Sequence, residues 1–372
     1  MKLAKLSLAA ILAAGAFSVA NATSLEDAIK GVDLSGMVRL RFYNNDVDKT
    51  SGYKDNNRWR GSSIFKFTIP VSDTIKVHYD VLAEQNAWSS GNGNVVFSGT
   101  PQPTYVKNNH IYLAYSDAGL NVIAGRIPVV TSVTAPGYLE PLGSGIVATY
   151  GLGNGLTLAG GFVDDIEGTI LGPSGADIVG GAILYNSDMV DAQAWAYKIT
   201  NVVKSDITAS IKVKPIKGLT IAGDYATSKL DIAGADNHDF WNASVAYAAD
   251  GFSGKVGYAK TNDKAGAIVL TADAALGNVT GQQDYNVANY TDTSTIYARL
   301  AYQVDAKTKV AVDYHTSDDK TAANADRDEY VFYGYYTYNK KLSFRAYYSV
   351  LDLDNSDALD NNQLQLQAVY KF

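Results

Sequence analysis

Four arginines carry the clearest chemistry in this sequence: Arg39 and Arg41, then Arg58 and Arg60, each pair separated by one residue. On an extended strand that spacing puts both guanidiniums of a pair on one face. A guanidinium offers a fork of donors that matches a carboxylate, so a row of them can draw small acids along a path. Lys66 and Lys76 fall on the polar parity of the segments that follow. For Arg58, at a segment end, a loop rim or a subunit contact is the competing reading.

A second group lies in Gly125-Arg126-Ile127-Pro128 through Glu140-Pro141-Leu142-Gly143, which has three prolines and no polar-apolar alternation. Proline stiffens a chain and removes ladder donors. Such a segment narrows a bore if it folds inward, and Glu140 would set its carboxylate against the basic wall. An ordinary external loop is the bland alternative. Arg126 shares parity with Leu120, Val122 and Ala124, so it faces outward unless a bulge intervenes. Asp164, Asp165 and Glu167 form the densest carboxylate cluster and could supply oxygens to Ca²⁺. They lack the EF-hand pattern, and a solvated loop explains them equally.

Enzyme chemistry finds no footing. The four histidines, His78, His110, His238 and His315, show no H-E-x-x-H spacing, and no G-x-S-x-G elbow is present. The absence of cysteine excludes disulfides and thiolate sites. No catalytic residue and no resident cofactor is assigned, with Ca²⁺ the one ion considered.

The elements that must position these groups read as strands. Gln363 to Phe372 alternates, with Leu364, Leu366, Ala368, Tyr370 and Phe372 on one face and Gln363, Gln365, Gln367 and Lys371 on the other. An outward apolar row and an inward polar row suit lipid and a wet lumen. The aromatic ending, Tyr370 and Phe372, also looks like the C-terminal signal by which barrel-assembly machinery recognises its clients.

Alternating segments fall near 34–43, 59–70, 74–84, 108–115, 120–126, 144–150, 155–162, 177–185 and 190–199. Others follow near 205–213, 219–228, 240–248, 252–261, 295–304, 308–315, 329–338, 342–351 and 363–372. The sequence thus predicts an all-β transmembrane antiparallel barrel of about 18 strands with a constriction loop in its lumen. Ala267-Ile268-Val269-Leu270 leaves room for a further hairpin. Every other connection is a tight Gly, Asp or Asn cluster, and most of the intervening ones are longer, as periplasmic turns and outer loops are. Outside the fifth segment, with its Arg126, charges sort to the polar parity, including Lys212, Asp224, Lys255, Arg299, Lys309, Asp313 and Arg345. A charge on the lipid face costs ~2–4 kcal/mol at the midplane, so this sorting argues for the barrel. A barrel of this size leaves an aqueous channel.

The other end agrees. Lys2 and Lys5, the apolar run Leu6 to Val19 and Ala20-Asn21-Ala22 read as a signal peptide over 1–22, leaving 23–372 as the barrel domain. The chain has 31 Lys+Arg against 38 Asp+Glu; removing the two leader lysines leaves 29 against 38, a mature charge of −9. That balance argues against nucleic acid as a partner.

The opening Thr23-Ser24-Leu25-Glu26-Asp27-Ala28-Ile29-Lys30-Gly31-Val32-Asp33-Leu34-Ser35-Gly36, the Ala124-Gly125-Arg126 step and the Phe372 ending resemble the Campylobacter-type major outer membrane porins. The resemblance implies a homotrimer in the bacterial outer membrane, among lipid and lipopolysaccharide. It further implies a mainly cation-selective, non-specific diffusion porin, with calcium as a family feature. Outer loops here are short, so adhesive roles tied to large loops are not carried over. The expected function is passive diffusion of ions and small hydrophilic solutes. The runner-up is a substrate-specific channel for small carboxylates built on the arginine ladder. A basic wall facing an acidic loop would order water and slow apolar solutes.

Overall fold

Alternation of apolar and polar residues, punctuated by tight turns, closes this chain into a cylinder of eighteen antiparallel strands in a computed structural model. The structure describes residues 31–47, 56–88, 105–134, 142–164, 166, 177–270, 274–279, 281, 286–321, 326–354 and 360–372.

In chain order the strands are β1 (Asp33–Val47), β2 (Asn56–Pro70), β3 (Ile75–Trp88), β4 (Tyr105–Asp117), β5 (Leu120–Pro128) and β6 (Leu142–Gly153). Next come β7 (Leu156–Asp164), β8 (Ile178–Asn186), β9 (Val190–Ile199), β10 (Val203–Val213), β11 (Leu219–Leu230) and β12 (Asn237–Ala249). The circuit ends with β13 (Phe252–Thr261), β14 (Thr293–Gln303), β15 (Thr308–Asp319), β16 (Arg327–Thr337), β17 (Leu342–Leu353) and β18 (Asn361–Lys371). Each strand pairs with its neighbours in sequence, and β1 pairs with both β2 and β18. No sheet edge is left open, which is what a membrane demands of strands. Each of the eighteen segments read from the sequence matches one strand, with ends displaced by a few residues.

The tight rim follows from turn chemistry. Ala118-Gly119, Asn154-Gly155 and Asp250-Gly251 all have positive φ at both residues, the geometry whose twist suits a two-residue hairpin. At two other turns a side chain does the work. Asp305 Oδ1 accepts from the amides of Lys307 and Thr308, and Asn339 Oδ1 from those of Lys341 and Leu342.

Parity assigns the faces. Leu40 is 52 % exposed and Leu113 54 %, whereas Asp313 and Glu329 are 1 % exposed. The apolar side of each strand is therefore the outer, lipid-facing one, and the polar side faces the lumen. Bulges alter this sorting locally: the β3–β4 register shifts between Tyr79 and Val81, where Asn109 and His110 are both buried beside Asp80, and β10 shifts against both neighbours after Val203.

The interior is not simply wet. Residues 129–134 after β5 and much of the 262–292 connection lie within the barrel. Val133, Ile268 and Val269 are fully buried there, with Leu270, Leu276 and Val287, against wall residues such as Val203, Ala226, Phe240 and Tyr297. Burying each of the larger apolar side chains contributes roughly 1.5–3 kcal/mol. Ala267–Leu270 is thus not a further hairpin but an apolar insert docked in the lumen.

Candidate functional site

The four arginines come together as their spacing implies. Arg41 lies directly opposite Arg60, and Tyr43 opposite Arg58, across the β1–β2 ladder. Arg41 is also opposite Gln367 on β18, which in turn is opposite Arg345 on β17. One row around the barrel therefore reads Arg345, Gln367, Arg41, Arg60. Neighbouring strands are ~4.8 Å apart, so fixed positive charge is concentrated on this sector.

Local partners hold each side chain. Arg39 Nε donates to Ser62 Oγ at 3.4 Å, and Arg60 Nη2 to Glu84 Oε1 at 3.4 Å. The guanidinium of Arg58 lies 4.5 Å from the centre of the Tyr43 ring, and that of Arg41 5.5 Å from it. Arg345 bonds Gln365 Oε1 through Nη2 at 2.5 Å and lies over Tyr347 at 5.5 Å. Tyr347 bonds Gln363, which bonds Asn45 at 2.9 Å. Nε and Nη2 of Arg41 are buried without a hydrogen-bond partner among the described residues. Two arginines directly opposite one another destabilise a ladder, and Glu84 and Tyr43 offset only part of that cost.

Lys66 and Lys76 share this face. Lys66 Nζ is 3.9 Å from Asp80 Oδ2, whose other neighbour is His110 Nδ1 at 2.8 Å. Lys76 sits near the tight-turn rim, opposite Pro70 and Ala114, and is exposed. Further around, Arg299 Nη1 is 3.3 Å from Asp313 and its Nη2 3.0 Å from the Tyr335 hydroxyl. Arginine and tyrosine thus recur as partners on β14, β16, β17, β1 and β2. The tyrosine partners, Tyr43, Tyr335 and Tyr347, were missed from the sequence, although they fall on the arginines' parity.

The constriction elements differ from expectation in two respects. Arg126 belongs to β5, opposite Ile111 and Ser144, and its Nε donates to the Asn109 carbonyl at 3.1 Å. No register shift rescues its parity, so it is part of the wall and not of the in-folded loop. Glu140 lies outside the described residues. The described part of that loop does enter the lumen: Ser132 Oγ bonds Thr208 Oγ1 on β10 at 2.8 Å. The second difference is the partner it finds there. Leu276 N donates to Ser132 O at 3.0 Å, so the 262–292 connection completes the insert. Its signal was the unbroken apolar run Ala267–Leu270 in an otherwise polar connection.

Asp164 ends β7, opposite Ser144, while Asp165 and Glu167 lie outside the described residues. No three metal-ligating side chains converge among the described residues. At the C-terminus Phe372 exchanges two backbone bonds with Gly36, both 3.1 Å, and its ring lies 5.7 Å from Phe65. Tyr370 faces outward, 27° from parallel to that ring.

The resemblance to the Campylobacter major outer membrane proteins is borne out over residues 1–180, which match the family's model. No curated protein matches the chain. Solved structures share the fold at low identity. OccK5 (OpdH) of Pseudomonas aeruginosa is 14 % identical, with a TM-score of 0.73 over 92 % of this chain and 99 % of that one. The BenF-like porin of Pseudomonas fluorescens Pf-5 is 16 % identical, with a TM-score of 0.74 over 92 % and 99 %. OpdK of Pseudomonas aeruginosa, solved with vanillate, is 15 % identical, with a TM-score of 0.71 over 91 % and 98 %. The chain is an outer-membrane β-barrel with the fold of porin channels.

Proposed function

We propose that this outer-membrane barrel is a passive channel for small hydrophilic solutes, and that its arginine–tyrosine sector favours those bearing a carboxylate. The observation that carries the preference is the row of Arg345, Gln367, Arg41 and Arg60, set side by side on the lumen face of β17, β18, β1 and β2. A carboxylate entering the row exchanges its water for preorganised donors in a partly dry site, where such bonds are strong. Tyr43 and Tyr347, both buried, back the guanidiniums and hold them in place. OpdK, a barrel of this fold, was solved with a carboxylate, vanillate. Family and fold both point to transport without catalysis.

Cation selectivity, which the family resemblance implies, is the second reading. Asp80 and Glu84 stand on the same sector and the mature chain is acidic, so the outer field favours cations even where the wall does not. A homotrimer in lipopolysaccharide-bearing membrane, delivered by the barrel-assembly machinery, completes the proposal. Planar-bilayer recording in salt gradients separates the two readings. A reversal potential of anionic sign, with saturable block by small carboxylates, supports the first. A cationic sign without block supports the second.

A further inference from the structure

Between β13 and β14 most described residues of the connection 262–292 lie inside the barrel, and its start and its end meet one side chain. His238, the second residue of β12, is 1 % exposed. Its Nδ1 lies 3.2 Å from Asn262 Oδ1, and its Nε2 lies 3.4 Å from the carbonyl oxygen of Ala288. Asn262 follows β13 directly, and Ala288 sits in the 3-10 turn Val287–Asn289 just before β14. The Asn262 amide has a fixed orientation. Its Nδ2 donates to Asn237 O at 2.9 Å and Asp239 Oδ2 at 3.1 Å, while Oδ1 accepts from the amides of Asp239 and Lys264.

Both ring nitrogens of His238 therefore face acceptors. A neutral imidazole has one N–H and satisfies one of them; an imidazolium has two and satisfies both. The ring is also pressed against the segment it holds, since a Cβ on Gly266 would fall onto the Cβ of His238.

We infer that His238 is a positioning residue, a clasp that ties both ends of the in-folded segment to β12 most tightly when its ring is doubly protonated. The clasp rests on the channel reading only for its consequence, a narrower path while the segment is docked. In acid both bonds are present. When the ring gives up its second proton, one bond is lost and the segment leaves the lumen more often.

Other charged groups nearby are accounted for. On the lumen face β11 presents Ser228 opposite His238, and β13 presents Thr261. Asp239 reaches the ring only through Asn262, and Lys264 pairs with Asp263 at 3.2 Å on the exposed side. One further titratable pair, His315 and Glu329 at 3.6 Å, lies under Gly281 of the same segment. A control without His238 is needed to separate it.

The chain lacks cysteine, so a single one at Ala274, which is fully buried in the insert, reports departure of the segment. Its labelling by a water-soluble methanethiosulfonate, relative to a cysteine at exposed Lys340, should rise roughly three- to tenfold between acidic and mildly alkaline buffer. With His238→Gln the ratio should be high and flat. A ratio flat with pH while His238 is present, or an equal slope with glutamine, overturns the clasp. Hydrogen exchange at the Leu270 and Leu276 amides of the unaltered chain, corrected for intrinsic rates, must show the same pH dependence. That measurement stands even where Ala274→Cys fails to fold. Neither readout uses conductance, so a barrel that inserted without conducting would sink the channel reading and leave the clasp intact.

Discussion

Leu270 donates its amide hydrogen to the carbonyl of Val133 at 2.7 Å, and through that bond two connections far apart in sequence become one body inside the barrel. Leu276 to Ser132 repeats the link, and Ser228 Oγ on β11 holds Ala267 O at 2.8 Å. The insert has its own apolar contacts, whereas the wall is held by its ladder. The two parts should therefore fail separately.

Ile268→Asn tests this independence. Ile268 is fully buried, so an amide there costs about 1–3 kcal/mol without a partner, and the cost falls on the insert. Single-channel conductance and the size limit in liposome swelling should both increase, while the heat-modifiable mobility of the barrel stays unchanged. Reduced conductance, or loss of the folded band, would show that the insert supports the wall.

The arginine row predicts a charge effect of defined sign. Arg41→Ala with Arg60→Ala removes facing positive charges, and the permeability ratio should move toward cations by roughly two- to fivefold at low salt. Arg39→Ala with Arg41→Ala should act in the same direction, and Glu140→Gln in the opposite one. Reversal potentials across a KCl gradient measure all three. An unmoved potential would place the solute path away from β1 and β2.

Much of the barrel was legible in the sequence because lipid and water impose a period of two on every strand. Arg39, Arg41, Arg58 and Arg60 fall on one parity for that reason, and the register sets them side by side. The insert was less legible. Ala267–Leu270 is apolar at every position, a pattern shared by a buried strand and a docked loop, and only tertiary packing decides between them. Arg126 shows the converse: its outward parity was readable, and the expectation that it joined the loop rested on proximity to Pro128. The tyrosines were obscured by abundance. With 26 in the chain, girdle and lumen positions look alike until neighbouring strands are placed.

Asp305 gives the tight-turn rim a pH dependence. Backbone N–H donors, Lys307 first and then Thr308, hold its carboxyl below the ordinary range. A depressed folded value means the stabilisation is present above the unfolded value and lost as pH falls through the folded one. Amide exchange at Lys307 and Thr308 should therefore accelerate, relative to intrinsic rates, in strong acid but not between mildly acidic and neutral pH. Asp305→Ala should show the fast rate throughout. Equal protection in the variant would assign the turn to its backbone alone.

Barrel closure depends on a close approach at Gly36. This residue exchanges both its backbone bonds with Phe372, and any Cβ there would fall onto the carbonyl oxygen of Ile64 and lie 2.9 Å from the Phe372 ring. The ring can rotate away, but the Ile64 oxygen belongs to the β1–β2 ladder and cannot move without breaking it. Gly36→Val should therefore part β1 from β2 on one side and displace the Phe372 ring from the β1–β18 seam on the other, lowering the temperature at which the heat-modifiable form is lost. Deleting Phe372 removes the same two bonds without the clash, so its effect should be smaller on stability and larger on assembly yield. If Gly36→Val left the transition unchanged while the deletion lowered it, the seam would be held by the terminal ring and not by the backbone.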